Sequence, residues 1–93
     1  MPCIFTAQSE NDLESIADYI ALDNPARAVS FVQEIREHCH QITYAPQGYP
    51  LAPEYGENIR KFPFGNYLIL YTIQTDDIVI SHIPHSARES PVL

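Results

Sequence analysis

The sequence predicts an α+β domain of order β-α-α-β-β-β, a helical hairpin packed on a small antiparallel sheet. Three observations carry that prediction. Before residue 43, two runs of apolar residues repeat at the spacings of three and four that amphipathic helices require. Between them stands Asp23-Asn24-Pro25, which ends one helix and opens the next. Beyond Gly56 the pattern changes to short β-branched and aromatic runs separated by tight turns.

Each element can be justified in order. Cys3-Ile4-Phe5-Thr6 is a short apolar run and reads as a first strand. Ser9 is expected to cap the first helix, with Asp12 three residues on returning the contact. Leu13, Ile16, Ala17 and Ile20 share one face, while Glu10, Glu14 and Asp18 fall mostly on the other. Pro25 lacks an amide hydrogen and suits a first helical turn capped by Asn24. This second helix is expected to run to about Thr43, with Ala28, Val32, Ile35, Cys39 and Ile42 as its apolar stripe. So short a linker makes the two helices an antiparallel hairpin. Glu34 with His38, and Glu37 with Gln41, read as solvent-face pairs.

Pro46, Gly48, Pro50 and Pro53 interrupt the next stretch, which reads as a loop with one short edge strand. A strand follows over Asn58 to Phe64, tolerating Pro63 only near its end or at a bulge. Gly65-Asn66 forms a two-residue hairpin turn of the glycine-first type. Tyr67 to Thr75 is apolar on both faces and belongs in the middle of the sheet. Thr75-Asp76-Asp77 turns the chain into a last strand, Ile78 to Ile83, which Pro84 stops.

Composition narrows the function classes. The 93 residues make one domain, 1–93, and an 11% aromatic share argues against disorder. Net charge is −7, with Arg27, Arg36, Arg60, Lys61 and Arg88 as the only Lys or Arg residues. A phosphate-binding surface needs a basic patch, so direct binding of nucleic acid is not expected. Cys3 and Cys39 are too few for a disulfide scaffold and read as buried free thiols. With neither a secretory signal nor an apolar run of membrane length, the expected setting is the reduced cytoplasm, with no membrane contact.

Catalytic patterns are sparse. His38 and His40 lie two apart on a helix and point away from one another, and no paired-ligand spacing occurs with His82 or His85. No metal or other cofactor is expected. Ser86 beside His85 is a neighbour in sequence, which does not make a triad, and three glycines make no phosphate-cradling loop. There remain Arg60 and the run His85-Ser86-Ala87-Arg88 at the sheet's end. Arg60 has a plain reading as a strand residue paired with a carboxylate, and Arg88 as an exposed tail residue. Together with His85 they have a functional reading, as a site gripping a planar acidic group on a partner.

The chain resembles ParE-like members of the RelE/ParE toxin superfamily over nearly its whole length. The residues that carry the resemblance are Asp12 to Ile20, Asn24-Pro25-Ala26-Arg27-Ala28, Pro46 with Gly48, Arg60 upstream of Phe64-Gly65-Asn66-Tyr67-Leu68-Ile69-Leu70-Tyr71, and His82 to Arg88. The resemblance implies the toxin of a type II toxin–antitoxin system, of the kind called a plasmid stabilisation protein. RelE-like members cleave messenger RNA on the ribosome with Arg and Lys on the central strands and often a C-terminal Tyr. Here Leu68 follows Tyr67 where that pattern has Arg, and no Tyr follows Tyr71. The ParE-like branch is implied instead: inhibition of DNA gyrase by binding, with no catalytic residue. Arg60, His85 and Arg88 are then expected to determine toxicity. A cognate antitoxin is expected in a groove lined by Ile16, Tyr19, Phe31 and Ile35, giving a toxin–antitoxin hetero-oligomer. The alternatives are a RelE-like endoribonuclease and a non-toxic binding module of the same fold.

Overall fold

The computed structural model describes residues 2–86. Its elements are β1 (Cys3–Phe5), α1 (Ala7–Ala21), α2 (Pro25–Ile42), a single 3-10 turn at Pro53–Tyr55, β2 (Arg60–Phe64), β3 (Tyr67–Ile73) and β4 (Ile78–His82). The β-α-α-β-β-β order is the one expected.

Local chemistry sets the element ends. Asn24 caps α2, its side-chain oxygen accepting from the Arg27 amide at 3.1 Å, and Pro25 opens the helix. The cap of α1 is Thr6, not Ser9. Thr6 Oγ1 accepts from the Ser9 amide at 3.1 Å, and Ser9 is buried inside the first turn with its hydroxyl donating to the Thr6 carbonyl at 3.0 Å. Tertiary bonds decide between the two hydroxyls. The Thr6 amide donates to Ile80 O at 3.1 Å and its hydroxyl to Ser81 O at 2.9 Å, so the helix must start from the sheet.

The sheet order is β1-β4-β3-β2. The β2-β3-β4 meander is antiparallel and β3 is central, as expected. β1, however, pairs with β4 in parallel, which makes the sheet mixed instead of wholly antiparallel. Two antiparallel steps leave β4 running in the direction of β2, and the helical hairpin returns the chain so that β1 shares that direction. Pro63 sits in edge strand β2, where a missing amide hydrogen need not break a ladder bond. Gly65 takes φ +57°, while Asn66 stays out of the left-handed region, in keeping with a glycine-first turn.

Leu13 and Ile16 of α1 and Ile35, Cys39 and Ile42 of α2 pack on Phe62, Ile69, Tyr71, Ile78, Ile80 and Ile83. Each large side chain so buried adds about 1.5–3 kcal/mol. His38, expected on the solvent face, instead lays its ring against Phe64 at 4.4 Å, half-buried over the sheet. Cys3 and Cys39 are free thiols, Cys39 fully buried and Cys3 half-buried with its sulfur donating to Cys39 O at 3.1 Å. The expected edge strand in the proline-rich loop reduces to one bridge, Leu51 to Arg60. Backbone bonds from the Ala52 amide to Ile59 O at 2.7 Å and from the Lys61 amide to Pro50 O at 3.1 Å hold that loop, together with side chains: Tyr71 donates to Pro46 O at 2.7 Å, and Arg60 donates to Tyr49 O at 2.6 Å.

Asp12 does not return to the helix cap. Its carboxylate accepts from His82 Nδ1 and from the Ile83 amide at 2.8 Å, while the Gln8 side chain donates to its other oxygen at 2.8 Å. A carboxylate only accepts, so His82 carries its proton on Nδ1.

Three outcomes follow from these contacts and from burial. Asp12→Ala leaves the His82 and Ile83 donors without their acceptor and is expected to lower unfolding free energy by about 2–3 kcal/mol, read from urea denaturation. Burial pushes the Cys39 thiol from 9.0 and the Tyr71 phenol from 10.0 each up to about 12. Both stay protonated in the fold where the unfolded chain would ionise them. Their contribution is therefore full below pH 9.0 and is lost as pH rises to about 12. The urea midpoint should fall across that window. Tyr71→Phe should lose about 1 kcal/mol at neutral pH, through the orphaned Pro46 carbonyl, yet decline less steeply above pH 10.0.

Candidate groove between helix α1 and the start of strand β3

The second half of α1 and the first turn of α2 overhang the corner where β3 begins and the chain leaves β4. Tyr19 projects from α1 with 59% of its surface exposed. Phe31 reaches down from α2, its ring 5.4 Å from Phe64 and 5.8 Å from Tyr67. His85 bridges to Tyr67 across the sheet, with ring centroids 5.1 Å apart at 83°. Two hollows meet there. One, of about 260 Å³, is lined by Asp12, Ser15, Ile16, Ile83 and Pro84, and the other, of about 380 Å³, by Ile20, Arg27, Phe31, Gly65 and Asn66. Tyr19, Tyr67 and His85 line both, so the two form one groove.

The wall carrying His85 is held in place by backbone. The Leu68 amide donates to Pro84 O at 3.0 Å and the Ser86 amide to Asn66 O at 2.8 Å. The Ser86 hydroxyl repeats the contact to Asn66 O at 2.9 Å. Asp12 fixes the preceding pair, His82 and Ile83, to α1.

The expected site residues separate. Tyr19, Phe31 and His85 meet in this groove, and Ile16 closes its floor at 6% exposure. Ile35 is 0% exposed and belongs to the core beneath, offering a partner no surface. Arg60 is not beside His85. Arg60 pairs with Tyr71 and His85 with Tyr67, four residues apart along β3, or about 13 Å. Its guanidinium holds the loop carbonyls of Tyr49 and, at 3.4 Å, Gln47, and it forms no ion pair among the described residues. Arg88 lies outside the described residues. Sequence reasoning missed Tyr67, which it placed in a strand covered on both faces, and Asp12, which it assigned to a helix cap.

Electrostatics within the groove are modest. Arg27 stacks over Phe31 at 5.1 Å and is paired with Glu34. The hydrogen bond from Arg27 holds the Glu34 carboxyl below its ordinary value, and the same bond raises the guanidinium. Among the described residues no three His, Cys, Asp or Glu side chains gather to hold a metal ion, and no helix is long and apolar enough to cross a membrane.

No curated protein matches the chain. Among solved structures it is similar to one described as "Chromosomal ParDE TA system from P. aeruginosa", at TM-score 0.76 and 22% identity, covering 91% of this chain and 95% of that one. At that identity the likeness shows the fold. The family model described as the ParE toxin of type II toxin–antitoxin system, parDE, matches residues 3–90. With both helices, all four strands and the groove inside that match, the chain belongs to the ParE toxin family of type II toxin–antitoxin systems.

Proposed function

We propose that this ParE-family toxin acts by binding DNA gyrase and holding it on cleaved DNA, without bond chemistry of its own, and that a cognate ParD-type antitoxin neutralises it. The observation that carries the binding mode is the state of its cations. Cleavage of RNA by 2′-hydroxyl attack needs a general base, an acid and cations aimed at the developing phosphate charge. Each described Lys or Arg side chain already has a partner within the chain. Arg27 pairs with Glu34, Arg36 with Glu10 at 2.7 Å and Lys61 with Glu54 at 3.7 Å, while Arg60 holds loop carbonyls. A net charge of −7 adds repulsion of RNA to that shortage.

The groove supports the antitoxin half of the reading. Tyr19 and Phe31 offer aromatic surface between helix and sheet, the kind of cleft in which a disordered antitoxin segment orders on binding. His85 stands in the same groove, so an antitoxin lying there would cover a residue we assign to toxicity. Arg88 is assigned to toxicity with it.

Expression of the chain alone, with a DNA-damage reporter and translation rate followed together, tests the target. The expected outcome is growth arrest with the reporter rising before translation falls. Translation collapsing first would replace the gyrase reading with ribosome-dependent cleavage, and no arrest at good soluble expression would leave a non-toxic module. Arg88→Ala is expected to reduce toxicity at least tenfold with the thermal midpoint unchanged. A variant that arrests growth as the parent does would remove Arg88 from the site.

A further inference from the structure

We infer that Arg60, with Asn58 and Leu51, forms a carboxylate-binding recess at the far end of β3, which takes an aspartate or glutamate side chain of a partner protein. The inference rests on neither the gyrase reading nor the groove beside His85.

The other described Lys and Arg side chains are each neutralised within the chain, Arg27 by Glu34, Arg36 by Glu10 and Lys61 by Glu54. Arg60 is not. Its bonds to Tyr49 O and Gln47 O come from Nη1 alone and end on neutral carbonyls, which fix the side chain without cancelling its charge. Nε and Nη2 donate no hydrogen bond among the described residues. Those two nitrogens form one edge of the planar guanidinium, and that edge matches the two oxygens of a carboxylate. A half-buried guanidinium in so acidic a chain is thus left with its charge uncancelled and its binding edge unused.

The surroundings supply the rest of a site. A hollow of about 170 Å³ is lined by Leu51, Asn58, Arg60 and Ile73. Leu51 bridges to Arg60 through the backbone and is 53% exposed. Asn58, exposed two residues before Arg60, makes no side-chain hydrogen bond among the described residues, so its amide is a second, neutral donor. Anchorage at Nη1 limits the side-chain freedom that binding would remove. An acidic residue next to an apolar one would set its carboxylate on Arg60 and its neighbour on Leu51. Nucleic acid fits less well, because a run of phosphates would meet one cation against a net charge of −7.

The test titrates the isotope-labelled full chain with a capped peptide, Ala-Leu-Glu-Leu-Ala, and follows the Arg60 Nε–H resonance. The same peptide with glutamine in place of glutamate is the control, and inorganic phosphate is a separate arm. The glutamate peptide should shift the resonance to saturation, and the glutamine peptide should bind about tenfold more weakly. Arg60→Lys keeps the charge and loses the planar edge, so it should weaken binding about tenfold, with unchanged Ala52 and Lys61 amide resonances reporting an intact loop. Asn58→Asp separates recognition from folding. Aspartate tolerates the φ of +62° found there, and its carboxylate would occupy Arg60 from within the chain. Peptide binding should be lost while the thermal midpoint does not fall. Equal affinity for both peptides, or parental affinity in Asn58→Asp, overturns the proposal. Phosphate saturating Arg60 at a lower concentration than the glutamate peptide also overturns it, by making the recess a phosphate site. Glu89→Gln binding the peptide many times more tightly than the parent overturns it by making the chain's own tail the occupant. Neither gyrase nor antitoxin is present, so failure here leaves the proposed function standing.

Discussion

The Asp12 carboxylate joins the two halves of this fold at the point where the sheet stops being regular. The ladder between β3 and β4 shifts register between Leu70 and Tyr71 and resumes with Leu70 opposite His82, while β1, the other neighbour of β4, has ended at Phe5. A backbone amide in that position needs an acceptor, and Asp12 supplies one to Ile83 while also accepting a hydrogen bond from His82 Nδ1. Thr6 does the same at the other end of the α1–β4 contact, through Ile80 and Ser81. The helix is thereby fixed to one strand at two points six residues apart. The groove follows from this arrangement, because one of its walls is α1 and the other is the segment that Asp12 anchors.

What the sequence made legible was whatever depends on neighbours in the chain. Asn24-Pro25 had to start a helix, and Gly65-Asn66 had to turn a hairpin, since cap geometry and turn geometry are set within four residues. The choice of Thr6 over Ser9 as cap was not local. Both hydroxyls suit the role, and two bonds to a strand some seventy-five residues away settle it. The parallel pairing of β1 escaped for the same reason, as it depends on where the hairpin delivers the chain. His38 was misplaced because a helix period tells which residues share a face but not how far the sheet extends beneath them.

The site was half legible. Tyr19 and Phe31 stood out as aromatic residues on helices, and His85 as a residue just past the last strand. That these three converge is a product of sheet order and helix placement, which periodicity does not contain. Arg60 illustrates the converse error. It and His85 were read as one cluster at the sheet's end, yet the β2–β3 and Tyr67–His85 pairings place them at different positions along β3.

That separation divides labour along one strand. At the Tyr71 end, the phenol and the Arg60 guanidinium collect carbonyls from Pro46, Gln47 and Tyr49, adding to the few backbone bonds of a proline-rich loop. The Tyr49 ring stacks on Phe62 at 4.3 Å at that end. At the Tyr67 end, the same sheet presents half-buried rings around an open groove. The buried middle of β3, Ile69 to Tyr71, lies between. An acidic chain with few cations thus commits Arg60 to holding its loop, while the rings at the other end of β3 line the groove.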